Sequence, residues 1–143
     1  MTSAMVVGQG WIVPYVTIPE HTVARILVVE DNPDNQKLIG LLLKRDGHEL
    51  AFAENADAAK AAVSAQIPDL ILMDIQLPGT DGLALTGELR AQFRLAGVPV
   101  VALTANAMSG DEEKILAVCD GYIAKPINTR TLAAQLAPFL TRR

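Results

Sequence analysis

From about residue 25 onward, short apolar runs alternate with longer stretches in which apolar residues recur every three or four positions. Five runs are too short for helices: 26–29, 49–53, 69–73, 98–103 and 121–124. Bounded by turn residues, they read as strands, and the unbroken runs at 26–29 and 69–73 read as strands buried on both faces. The run at 49–53 is more polar, as an edge strand is. Asn32 followed by Pro33 predicts an N-cap and a proline at the first helical position. That helix is expected to reach about Asp46, with Leu38, Leu41, Leu42 and Arg45 at helical spacing and Gly47 ending it. Asn55 is expected to cap an alanine-rich helix reaching about Ala65. A third helix, holding Leu83, Leu85, Leu89 and Phe93, follows the turn Pro78-Gly79-Thr80-Asp81-Gly82. Ser109 and Glu112 have the spacing of a capping box, and Asp111, Glu112 and Glu113 suit the positive end of a fourth helix. Asn128 is expected to cap the last helix, which presents Leu132, Leu136, Phe139 and Leu140 on one face.

Five strands alternating with five helices through short connections imply a parallel sheet with helices on both faces. The fold class expected is α/β: a doubly wound, flavodoxin-like, five-stranded parallel sheet of order 2-1-3-4-5. Its switch point falls between the first and third strands, and ligands of such sheets bind beyond the carboxyl ends of the strands there. The domain is expected to span 24–143. Residues 1–23 show neither helical periodicity nor sustained alternation and read as an extension, either packed loosely on the domain or disordered. An alternative is a start assigned too early, with Val23 as the true first codon.

Composition narrows the function. The chain has 143 residues, half of them apolar and one fifth charged, which suits one globular domain. The net charge of −4 and the absence of a basic cluster argue against a nucleic-acid partner. A single cysteine excludes an intramolecular disulfide and a cysteine-rich zinc site, and Cys119 reads as a core residue. No apolar stretch approaches the roughly 18–20 residues of a membrane span. The first twenty residues are broken by Gly8, Gly10, Pro14 and Pro19 and carry no basic residue, unlike a secretory signal. No membrane partner is expected, and the location expected is cytoplasmic. His21 and His48 read as surface residues.

The candidate chemistry lies at the strand ends. Glu30-Asp31 closes the first run, Asp74 the third, Thr104 the fourth and Lys125 the fifth. Taken singly, each has an ordinary reading: a cap or turn aspartate, a solvated acidic pair, a hydroxyl bonded to backbone, a surface lysine. Together, Glu30, Asp31 and Asp74 would put three carboxylates in one cleft, where like charges oppose ionisation unless a cation intervenes. A hard divalent ion such as Mg2+ answers this, with the main-chain carbonyl of Gln76 as a further ligand. A carboxylate beside Mg2+ can act as a nucleophile towards phosphorus. Lys125 offers a point charge for one phosphoryl oxygen and Thr104 a hydrogen bond for another.

This arrangement resembles the receiver domain of two-component response regulators. The resemblance rests on Ile26 to Asn32, Leu70 to Asp74, Leu77 to Gly82, Ala102-Leu103-Thr104-Ala105 and Tyr122-Ile123-Ala124-Lys125-Pro126, in order and each at an expected strand end. It implies that Asp74 is the phosphoacceptor, that Glu30 and Asp31 hold Mg2+, and that Thr104 and Lys125 are the switch hydroxyl and the phosphate-binding lysine. It implies further that Tyr122 is the aromatic switch position and that the Lys125–Pro126 bond is cis. Asn32, Asn35 and the run Thr104 to Met108 look most like phosphorelay receivers, either single-domain proteins of the DivK type or receivers of hybrid kinases. The partners implied are a histidine kinase or histidine phosphotransfer protein and a downstream protein target. The output would be a protein–protein interaction or onward phosphotransfer. The domain itself would be a phosphoacceptor that catalyses its own phosphotransfer and dephosphorylation, with Gln76 and Asn106 flanking the site, and not an enzyme with a turned-over substrate.

Two rivals stay open on sequence alone. A haloacid-dehalogenase-type phosphatase also uses a strand-end aspartate, but it wants a second aspartate two residues on, where this chain has Gln76. A receiver-like binding module that is not phosphorylated would more often lack the acceptor or the lysine. The first helix carries Leu38, Ile39, Leu41, Leu42 and Leu43, a wider apolar surface than one core stripe requires. Either it docks partner histidine proteins, as this helix does in the family, or it packs under the N-terminal extension.

Overall fold

A computed structural model describes residues 23–105, 107 and 110–140, and the backbone of 5–8 and 11–14. Strands β3 (Arg25–Val29), β4 (Glu49–Ala53), β5 (Leu70–Asp74), β8 (Val100–Thr104) and β9 (Gly121–Ala124) form one parallel sheet in the order β4-β3-β5-β8-β9. Counted along the sheet's own strands, this is the 2-1-3-4-5 order expected. β3, β5 and β8 lie in the interior of the sheet; β5 and β8 are buried along their whole length, and β3 except for Arg25. β4 lies at one edge with a largely exposed pattern.

Strand alternation divides the core in two. Ile26, Val28, Leu70, Leu72, Val101, Leu103 and Ile123 pack against α1 (Pro33–Arg45) and α5 (Leu132–Leu140). Leu27, Val29, Ile71, Met73, Val100 and Ala102 pack against α2 (Ala56–Ala65), α3 (Gly82–Gln92) and the first turn of α4 (Glu112–Val118). The cap of α1 forms as expected, with the Asn32 side chain accepting from the amides of Asp34 and Asn35 at 2.8 and 3.2 Å. The Asn55 side chain likewise accepts from Ala58 N–H at 2.8 Å.

Several expectations are corrected. The stretch ahead of the domain contains an antiparallel pair, β1 (Met5–Gly8) and β2 (Trp11–Pro14), whose four-residue strands are too short for alternation to register. The rest of 1–22, including His21, lies outside the described residues. The turn after β5 holds a second short pair, β6 (Gln76–Leu77) and β7 (Thr80–Asp81). α4 begins at Glu112 with Asp111 at the N-cap position and no side-chain cap bond. Gly110, at φ +84°, breaks helical geometry just before it, so the capping register set on Ser109 does not hold; Ser109 itself lies outside the described residues. Asn128, by contrast, does cap the entry to α5 as expected: its side chain accepts from Arg130 N–H at 2.8 Å and its carbonyl from Leu132 N–H at 3.1 Å. His48 is buried rather than on the surface, because its Nδ1 accepts the Ala24 N–H at 3.1 Å where the chain enters β3.

Candidate functional site

The carboxyl ends of β3, β5, β8 and β9 converge. In register, Asp74 on β5 lies beside Leu103 on β8, and Thr104 beside Ala124 on β9. Lys125 N–H extends that last ladder by donating to the Thr104 carbonyl at 2.8 Å. Glu30, just past β3, donates its N–H to Ala53 at 2.9 Å. Glu30, Asp74 and Thr104 are buried, although all three are polar. Asp31 is half-buried and Gln76 exposed.

Glu30, Asp31 and Asp74 each offer a carboxylate oxygen within 4.8 Å of the others. The Lys125 ammonium bridges two of the three acids, at 2.8 Å from Asp74 Oδ2 and 3.3 Å from Glu30 Oε1. The other Asp74 oxygen accepts the Gln76 N–H at 2.8 Å. Glu30 is also held by the N–H of Asn32 at 3.1 Å and the side-chain amide of Asn35 at 3.4 Å. Burial pushes the Glu30 carboxyl above the usual carboxylate range; the Asn32 N–H pulls it back, and the charge of Asp74 adds to the rise. Burial works against the Lys125 charge, but the hydrogen bond and charge of Asp74, joined by Glu30, hold its pKa above the usual lysine value. Three acids facing one ammonium leave an excess of negative charge in a buried cleft. Oxygen donors with that charge fit a hard divalent cation such as Mg2+ and do not fit zinc.

The loop after Asp74 depends on a close backbone approach. A Cβ on Gly82 would sit 2.4 Å from the Asp74 carbonyl oxygen and 2.4 Å from Ile75 Cα. Glycine at this position therefore lets the start of α3 close against the acceptor strand, with Gly82 N–H donating to Ile75 at 3.2 Å. The turn itself uses Gly79 at φ +69°.

Tyr122 is half-buried on β9, paired in register with Ala102 and packed on the face covered by α3 and α4. The Lys125–Pro126 bond is cis. Glu30, Asp31, Asp74, Thr104 and Lys125 thus lie together at neighbouring strand ends. The sequence reading missed Gln36, whose side-chain amide donates to the Glu30 carbonyl at 2.6 Å. Asn106 lies outside the described residues.

The sequence profile of the response regulator receiver domain matches residues 26–137. The chain belongs to the response regulator receiver family. This receiver is 40% identical over 116 residues to the polar-differentiation response regulator DivK of Brucella anthropi, covering 80% of this chain and 94% of DivK. It is 42% identical over 113 residues to the sensor protein GacS of Pseudomonas syringae pv. syringae, a match to 76% of this chain and 12% of that longer sensor. Its fold superposes, with a TM-score of 0.74 at 38% identity, on the receiver domain of the sensor histidine kinase PA1611 of Pseudomonas aeruginosa, which was crystallised with magnesium in its active-site cleft. That match covers 83% of this chain and 98% of the other. The chemotaxis protein CheY4 of Vibrio cholerae superposes with a TM-score of 0.77 at 25% identity, over 83% of this chain and all of CheY4. This receiver is a phosphorylation-dependent signalling domain of the two-component type, not a conventional enzyme, which sets the phosphatase alternative aside. No described helix is long and apolar enough to cross a membrane.

Proposed function

We propose that Asp74 accepts a phosphoryl group from a phosphohistidine of a sensor kinase or phosphotransfer protein. An Asp74 carboxylate oxygen forms a bond to phosphorus as the phosphorus–nitrogen bond of the phosphohistidine breaks. The product is an acyl phosphate, and the departing imidazole takes up a proton. The observation that carries this reading is the buried Asp74 carboxylate at a strand end, 2.8 Å from Lys125 and clustered with two further acids. Asp31, Asp74, Glu30 and the Gln76 main-chain carbonyl would hold Mg2+. The ion would supply charge neutralisation for the phosphoryl oxygens. Lys125 stands ready to pass from the carboxylate to a phosphoryl oxygen, and Thr104 to donate a hydrogen bond to another.

Phosphorylation makes the cleft more negative by about one charge. The reading is that Thr104 and Tyr122 respond to this, shifting a pre-existing equilibrium of the face built from β8, α4, β9 and α5. A downstream protein, or a further phosphotransfer partner, reads that face; neither nucleic acid nor membrane is a partner. Residues 24–143 form the receiver, the stretch ahead of it is an extension, and the protein works in the cytoplasm. The acyl phosphate is also hydrolysed within the domain, Gln76 flanking the site of attack.

The test is intact-mass measurement after incubation with acetyl phosphate and Mg2+. The wild type should gain one phosphoryl group, and Asp74→Asn none. Failure of the wild type to gain a phosphoryl group, together with failure to bind beryllofluoride, would refute the reading in favour of an unphosphorylated module.

A further inference from the structure

The three clustered acids are not held alike. Both oxygens of Asp74 are engaged, by Gln76 N–H and Lys125. Glu30 is held by Asn32, Asn35 and Lys125. The Asp31 carboxylate makes no hydrogen bond or ion pair among the described residues. With no polar partner among the described residues, its position is set through its backbone. That backbone lies where the sheet stops: Glu30 N–H still bonds Ala53, but the β3–β4 register ends at Val29 and Ala53, so the Glu30 carbonyl on that side has no strand residue to satisfy it. A buried carbonyl without a partner is unfavourable, and here the partner is a side chain. Gln36, in the first turn of α1, donates from Nε2 to the Glu30 oxygen at 2.6 Å, while its own N–H bonds Asn32 at 3.0 Å. The Glu30 carbonyl and the Asp31 N–H belong to one planar peptide group. Fixing that oxygen fixes the plane from which the Asp31 side chain departs.

We infer that Gln36 is a positioning residue for the cation site, holding the Glu30–Asp31 peptide so that Asp31 meets the ion in place. The inference rests on the phosphoacceptor reading given above. Ligands are oriented by the groups behind them, and removing such a group weakens metal binding about 10–100-fold. Gln36 also lines, with Lys37, Gly40, Leu41 and Phe52, a groove between α1 and the edge strand β4.

The experiment is calorimetric titration of the full chain with magnesium chloride. It compares wild type, Gln36→Met, Gln36→Ala and, as a control at an exposed position of the same helix, Leu41→Ala. Methionine keeps the length of the side chain and removes the donor. Both Gln36 variants should bind Mg2+ about tenfold more weakly, and Leu41→Ala should match wild type. Phosphorylation by acetyl phosphate should then need more Mg2+ but reach the wild-type rate at saturation, a split that general destabilisation would not produce. If both Gln36 variants bind within twofold of a wild type that does bind Mg2+ and gain a phosphoryl group, the inference fails and the phosphoacceptor reading survives. If the wild type neither binds Mg2+ nor gains a phosphoryl group, it is the reading beneath that fails.

Discussion

Replacing Glu30 with glutamine should make the metal-free protein more stable. The Glu30 side chain is fully buried, next to Asp74, and shares one ammonium with it. Its raised pKa means that the fold favours the charged form less than the unfolded chain does: burial and the Asp74 charge outweigh the pull of Asn32 and Lys125. Each unit by which a carboxyl pKa is raised disfavours the charged form by about 1.4 kcal/mol. Glutamine keeps the shape and an acceptor for the Asn32 N–H; its amide replaces the oxygen that faces Asn35 and Lys125, but it ends the repulsion from Asp74 and the cost of burying a charge, so a net gain is expected at pH 7 in chelator. For a domain of this size each kcal/mol gained raises the melting temperature by about 4 °C. A raised folded-state pKa gives stability that is fully present below the ordinary Glu value and lost as pH rises through the raised one. The gap between variant and wild type should therefore be open at pH 7 and close towards pH 4. Mg2+ should reverse the order, because an ion at ten times its dissociation constant adds about 1.4 kcal/mol to the protein that binds it. Thermal melts in chelator and in Mg2+, at several pH values, measure all of this. A Glu30→Gln protein that melts at or below wild type in chelator at pH 7 would refute the claim that the buried charge works against the fold.

Three further outcomes follow from other contacts. Gly82→Ala must displace the Asp74–Ile75 backbone, so it should lose about 2–3 kcal/mol in denaturant unfolding and phosphorylate poorly even when folded. Burial pushes the Cys119 thiol up to about 11, so at pH 8 it should react with a thiol reagent at least about 100-fold more slowly than in denaturant; equal rates would refute its placement in the core. Thr104→Val should still gain a phosphoryl group from acetyl phosphate, while the amide NMR shifts of α4 and β9 that beryllofluoride produces in wild type shrink markedly. Unchanged shifts would show that the Thr104 hydroxyl is not the link.

The sheet and most of the site were legible because ionisable residues at the ends of apolar runs stand out against their surroundings. Glu30, Asp74 and Lys125 are such residues, and the strand order then makes them neighbours. What was not legible depends on where backbone groups end up. His48 follows a glycine in a polar turn, and nothing in its surroundings announces that it will accept the Ala24 N–H. Gln36 looks like any polar residue of a first helical turn until the unpaired carbonyl at the end of β3 is located. The pairs β1–β2 and β6–β7 are built of strands of two to four residues, below the length at which alternation carries a signal.

Alternation also bears on how a charge added at Asp74 would be read elsewhere in the domain. Along each strand, residues two apart share a face. Glu30 follows Val28, Asp74 follows Leu72 and Lys125 follows Ile123, and all three predecessors pack under α1 and α5. Thr104 follows Ala102, which packs with Tyr122 under α3 and α4. The acids and their lysine thus continue one face of the sheet, and the aromatic residue lies on the other. A charge added at Asp74 acts directly on the first face and reaches the second only around the sheet's carboxyl edge. Thr104 stands at that edge: one strand over from Asp74, tied through its carbonyl to Lys125, and on the same side as Tyr122. A hydroxyl there can sense one face while its displacement repacks the other, which no residue deeper in β8 could do.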